Sequence, residues 1–197
     1  GVLSVFVSLT ISSPLGSMGL YVNDPQTFVG AVATSFFGAA IPEEIAKFIM
    51  FWLIVRSSRY FDEHMDGIVY ASSVALGFAA LENVMYLISN YESWVSVGIT
   101  RALFSVPGHF FFGVLMGYYY SLVRFDPAAS KNTRWLVILA PVLAHGAYNS
   151  VLFVLDVAPG LSLILMVVFL WLCNKLRKYA SAKIREHLVR DGVIVNE

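Results

Sequence analysis

Apolar residues fill this chain in long blocks, broken by short polar connections. Six blocks read as candidate membrane spans, near residues 2–22, 28–55, 65–89, 99–123, 134–155 and 160–174. Asn23-Asp24-Pro25 is a turn signal that separates the first from the second. Only closed helices or barrels satisfy their backbone in lipid, and blocks of this length predict helices. The pattern therefore predicts an all-α, polytopic membrane helical bundle of about six transmembrane helices. The second block carries a discontinuity. Its small residues Gly38, Ala39 and Ala40 run into Ile41-Pro42-Glu43-Glu44. Proline suits the first turn of a helix, and carboxylates follow it well there, so the pattern allows this span to be broken at Pro42. Residues 1–174 read as a single transmembrane domain, and 175–197 as a basic, amphipathic cytoplasmic tail.

Composition agrees. The 197 residues are 58% hydrophobic and 13% charged, with a mean hydropathy of +0.71. A soluble domain carries roughly 25% charge. Net charge is zero, which gives no case for a nucleic-acid partner, and the bilayer is the partner that composition names. One cysteine, Cys173, excludes a disulfide framework or a cysteine metal site. Basic residues alternate with span parity. Arg56 and Arg59 follow the second block, Arg124, Lys131 and Arg134 follow the fourth, and Lys175, Arg177, Lys178, Lys183, Arg185 and Arg190 follow the sixth. The positive-inside rule puts those loops, the tail and the N-terminus on the cytoplasmic side.

The polar residues inside the blocks carry the chemistry. Glu43, Glu44 and Lys47 lie in the second, Glu82 and Asn83 in the third, and His109 in the fourth. His145 and Asn149 lie in the fifth, one helical turn apart on one face. At about 1.5 Å per residue, these positions share one slab, from the bilayer centre toward the non-cytoplasmic side. Ionisable groups at such depth are costly and mark a pathway or a reaction site. A structural reading pairs Glu43 with Lys47 at i and i+4 and leaves Glu44 on another face, without a partner on its own helix. Arg101 and His64 read as interface residues, His187 as part of a solvated tail, and Asp66-Gly67 as a helix start. There is no His-Glu-x-x-His pattern, no serine in a recognisable nucleophile setting, and no histidine near Cys173. Acid–imidazole chemistry remains, in two forms. A carboxylate near His145 could activate water for attack on a peptide carbonyl, with Asn149 or a histidine stabilising the oxyanion. Alternatively Glu82, His109 and His145 could hold zinc, with Glu43 or Glu44 as general base. Spacing leaves both open. A proton or ion carrier would use the same residue types.

Taken in order, five blocks resemble those of the PrsW family of membrane proteases, related to the CAAX prenyl endopeptidase (Abi) superfamily. They are Pro42-Glu43-Glu44-Ile45-Ala46-Lys47, Asp66-Gly67-Ile68-Val69-Tyr70, Gly77-Phe78-Ala79-Ala80-Leu81-Glu82-Asn83, Pro107-Gly108-His109 and Ala144-His145-Gly146-Ala147-Tyr148-Asn149. The resemblance covers about residues 28 to 155. It implies an intramembrane protease of a prokaryotic plasma membrane, active in regulated proteolysis. By analogy it would cleave a single-span, anti-sigma-factor-like protein near its extracytoplasmic side. It also implies that Glu43, Glu44 and His145 are essential and that Asn149 is the oxyanion asparagine. The CAAX relatives carry histidine in a Phe-x-x-x-His block where this chain has Glu82. Both metal-dependent and glutamate-type chemistry occur among the relatives, and so do subunits acting as non-catalytic scaffolds.

Overall fold

The computed structural model describes residues 1–195 and is all-helical there. Six helices follow in order. We number them α1 (Val2–Ser17), α2 (28–55), α3 (His64–Ser89), α4 (94–125), α5 (Lys131–Val157) and α6 (Ser162–Arg190). Among the described residues, four stretches are long and apolar enough to cross a membrane: His64–Ser89, Tyr91–Phe125, Lys131–Val157 and Pro159–Arg190. The run over 28–55 carries Glu43, Glu44 and Lys47 among its apolar residues, and α1 is a shorter apolar helix. Large apolar side chains such as Leu163, Ile164 and Val167 stand exposed on the outer surface, as lipid-facing positions require.

The interruption expected at Pro42 takes the form of a change in helix type. In α2 an α-helical start, Phe28–Ala33, widens into a π-helix over Thr34–Ala40 and tightens again into Ile41–Val55. Proline has no N–H to donate, and its ring crowds the carbonyl four residues earlier. A wider π turn ahead of it relieves both problems without stopping the chain. Helix α4 repeats the device. Its Trp94–Thr100 segment passes through a π-helix at Arg101–Ser105 into Val106–Phe125, with Pro107 second in the new segment. The polar motifs Glu43-Glu44 and Gly108-His109 each follow directly on such a proline.

Helix starts follow local chemistry. At the head of α3, Glu63 and Asp66 form a reciprocal capping box, which bears out the helix start read at Asp66-Gly67. Ser130 caps α5 by accepting from the Thr133 N–H at 3.3 Å. Helix α6 runs unbroken through residue 174 into the basic segment.

The closest packing in the bundle is between α3 and α4. Gly67 meets Gly117 there, and Gly113 faces Ala71, Ser72 and Ala75, so a Cβ at these glycines would collide with backbone across the interface. Ser121 Oγ donates to the His64 carbonyl at 2.7 Å beside the same crossing. On the other side of the site, Gly146 of α5 packs against the Phe36 ring from the π-helical part of α2. These two close approaches fix the rotation of α3, α4 and α5 about the polar residues they carry.

The end of α6 returns to the bundle. Asp191 accepts from the backbone N–H groups of His64 and Met65 at 2.9 and 2.7 Å, completing the cap of α3. The Asp191 carboxylate also meets His64 Nδ1 at 2.9 Å. His187 is fully buried, stacked on the Tyr118 ring with centroids 4.5 Å apart. His64 lies at the end of its span, partly exposed and pinned to Asp191, whereas the expectation that His187 is solvated does not survive. An amphipathic segment that folds back hides its histidine face, and hydropathy does not report that contact.

Candidate active site

Four helices supply the acidic and imidazole side chains of the site. Glu43 and Glu44 lie just past the π turn of α2, at the start of its Ile41–Val55 segment. Glu82 comes from the last third of α3, His109 from just beyond Pro107 in α4, and His145 with Asn149 from the centre of α5.

All six predicted site residues meet in one hydrogen-bonded network. Lys47 Nζ donates to Glu44 Oε1 at 2.7 Å and to Glu43 Oε2 at 3.3 Å, and lies 2.9 Å from His109 Nδ1. His145 Nδ1 lies 2.8 Å from the same Glu44 Oε1, and Asn149 Nδ2 lies 3.1 Å from His145 Nε2. His109 Nε2 lies 3.0 Å from Glu82 Oε2. A carboxylate only accepts, so Glu82 takes the Nε2–H of His109 and leaves the Nδ1 lone pair facing Lys47. The Phe112 ring stacks on His145 with centroids 4.7 Å apart, and Phe78 lies against His109. Glu44, Lys47, His109 and His145 are all buried; Glu43 is the partly exposed one of the two α2 glutamates, and Glu82 and Asn149 are partly exposed as well.

The structural reading of Glu44 needs correction. Glu44 does have a partner on its own helix, at i+3, and that contact is shorter than the expected Glu43–Lys47 pair. Helix geometry brings both i+3 and i+4 within reach, and the lysine takes both carboxylates. Glu44 Oε2 is buried with no hydrogen-bond partner among the described residues.

Metal-ligating atoms of Glu43, Glu44, His109 and His145 all lie within 4.8 Å of one another. Glu82 stands behind His109 and is tied to Arg101 as well. An oxygen without a donor, two imidazoles and a second carboxylate at this separation are a donor set that suits a divalent ion such as zinc.

Arg101 belongs to the site, although its position near a helix end reads as interface. It pairs with Glu82, donates to Asn83 Oδ1 and stacks over the Tyr86 ring at 3.8 Å. The hairpin formed by α3 and α4 brings it there. Asn83 and Arg101 lie equally far from Glu92 in the α3–α4 connection, as do Gly67 and Gly117.

A cavity of about 600 Å³ adjoins the network. Glu43, Glu82, His109, His145 and Asn149 line it, and it extends past Arg101 and Tyr148 to Asn90, Ser96 and Asp156. Those last residues lie at the end of the bundle that holds the α3–α4 and α5–α6 connections. The arrangement offers buried carboxylates and imidazoles beside a space that can take a ligand, as water-activating hydrolysis requires.

The family described as PrsW family intramembrane metalloprotease matches residues 1–173. A protein named Protease PrsW from Geobacillus kaustophilus is 36% identical over 183 residues, covering 93% of this chain and 76% of the relative. The protein of that name from Bacillus subtilis is 35% identical over 182 residues, covering 91% and 81%. The one from Oceanobacillus iheyensis is 35% identical over 170 residues, covering 85% and 71%. No solved structure matches the chain. The match spans every helix that contributes to the network, and the peptidase expectation stands with it: this chain belongs to the PrsW family of intramembrane metalloproteases.

Proposed function

We propose that the protein hydrolyses a peptide bond of a membrane-anchored, single-span protein close to the extracytoplasmic face. The observation that carries this is the convergence of Glu43, Glu44, His109 and His145 beside a cavity within the bundle. The cavity extends toward the end of the bundle opposite the Arg56–Arg59 and Arg124–Lys131 loops. The positive-inside rule makes that end extracytoplasmic.

Zinc is the ion we assign to the cluster, with Glu44, His109 and His145 as its holders. When bound it would polarise the scissile carbonyl and ease deprotonation of water. Glu82 differs from the ligand role its sequence spacing allowed. It fixes the tautomer and orientation of His109 from behind, as partners of metal-binding histidines do. Glu43 lines the cavity and keeps partial exposure, so it is the general base, taking a proton from water on the cavity side. Asn149 lines the cavity beside His145, where its amide can donate to a developing oxyanion. A substrate helix must unwind before its backbone can be attacked, and Arg101, Asn90 and Ser96 along the cavity can receive the exposed polar groups.

The test is cleavage of a single-span reporter by purified protein in liposomes. Glu44→Gln and His145→Ala should each abolish cleavage while the protein still elutes folded. Chelation should inactivate the wild type, and added zinc should restore it. Retained cleavage in either variant would overturn the assignment of residues, and full activity after exhaustive chelation would overturn the metal.

A further inference from the structure

We infer that Lys47 is a built-in cation that fills the metal position of the cluster and must be displaced before a metal ion can bind. This rests on the metal reading above.

The ammonium group of Lys47 has three protons and no acceptor. In this structure all three directions are used on the cluster itself. Nζ reaches Glu44 Oε1 at 2.7 Å, Glu43 Oε2 at 3.3 Å and His109 Nδ1 at 2.9 Å. Three of the four residues that form the candidate metal centre therefore spend lone pairs on the same nitrogen. The side chain is 1% exposed, and its head lies 4.2 Å from the centroid of the Phe78 ring, which closes the remaining side.

Glu44 Oε2 is free to bind a divalent ion, but the ion would need the His109 Nδ1 lone pair that now faces Lys47. It would also stand a few ångströms from a positive charge in a dry site, where repulsion is poorly screened. The two cations are thus alternative occupants. Lys47 gives the buried carboxylates a counter-charge before metal arrives, so the metal-free bundle need not hold two unpaired glutamates apart in lipid. Its flexible four-carbon stem lets the head leave without moving the helix. Sequence reading assigns Lys47 only to a pair with Glu43, and that pairing alone gives it no role toward a metal.

The experiment is a zinc titration of metal-stripped protein in detergent, read by calorimetry and by the shift of the melting temperature. Wild type, Lys47→Met and Lys47→Gln are compared. Methionine keeps the four-atom stem without the charged head, and glutamine keeps a donor. Both variants should bind zinc about tenfold tighter or more, because one unit of competing charge has left a poorly screened site. Without metal both should melt below wild type, and zinc should raise their melting temperature by more. If a variant folds only when zinc is present throughout purification, that too supports the inference. Failure to fold even with zinc would show that Lys47 is needed with metal present, and would overturn it. Zinc affinity equal to or weaker than wild type in both folded variants would overturn the inference and leave the metal reading standing. Absence of zinc binding in all three proteins would remove the metal reading and this inference together.

Discussion

Gly117→Ala should damage the enzyme more than any other single methyl addition outside the acid–imidazole network. Gly117 of α4 faces the backbone of Gly67 and Ile68 in α3, and an added Cβ would fall 2.7 Å from Ile68 Cα, with the Gly67 carbonyl closer still. Carbon atoms rest about 3.5–4.0 Å apart, so the two helices must separate locally by roughly 1 Å. Backbone cannot rotate aside as a side chain can. Overpacking of this kind costs about 1–3 kcal/mol. The same displacement acts on function, because α3 carries Glu82 and α4 carries His109, whose contact is 3.0 Å. A shift of about 1 Å in a catalytic constellation can cost on the order of a hundredfold in rate. Thermal unfolding in detergent and reporter cleavage in liposomes measure the two effects separately. Gly160→Ala is the control, since a Cβ there has no neighbour within 4 Å among the described residues. If Gly117→Ala melts and cleaves like wild type, the close helix crossing does not position this site.

Two further outcomes follow from other contacts. Burial by itself would raise the Asp191 carboxyl, but the N–H groups of Met65 and His64 outweigh it and hold the group below the usual carboxylate range. Its folded-state value is therefore depressed. The stabilisation is fully present above the ordinary unfolded value of about 4 and is lost as pH falls through the folded value. Asp191→Asn should cost about 1–2 kcal/mol at pH 7, as a partly buried charge at a helix N-terminus does. The difference in melting temperature from wild type should close at acid pH, and a gap independent of pH would refute the role of the charge. Arg101→Met removes one partner of Glu82 and the donor to Asn83. It should lower stability by about 1–3 kcal/mol and reduce cleavage, and an unchanged melting temperature would show that His109 alone satisfies Glu82.

Pro42 was legible as a feature, but not the π turn that absorbs it, because helix type depends on relief of a local clash rather than on hydropathy. Spacing of i+4 pairs Lys47 with Glu43 and leaves Glu44 without a partner, while in the fold the lysine head takes both. Arg101 and His64 read as interface residues and His187 as a solvated one, and each is engaged through a residue distant in the chain that spacing does not reveal.

The sequence by itself determined that the chain is a membrane-embedded helical bundle, and which acidic and imidazole residues lie at a common depth. Hydropathy and rise per residue are local quantities, so they survive without knowledge of neighbours. Only the tertiary structure decided that Glu44 and His145 touch, that Glu82 supports His109 from behind, and that Lys47 sits among the metal-ligating atoms. Those contacts depend on the rotation of each helix about its axis. That rotation is set across helices, by backbone meeting backbone at Gly67 and Gly117 and by Phe36 against Gly146, and no segment read alone contains it.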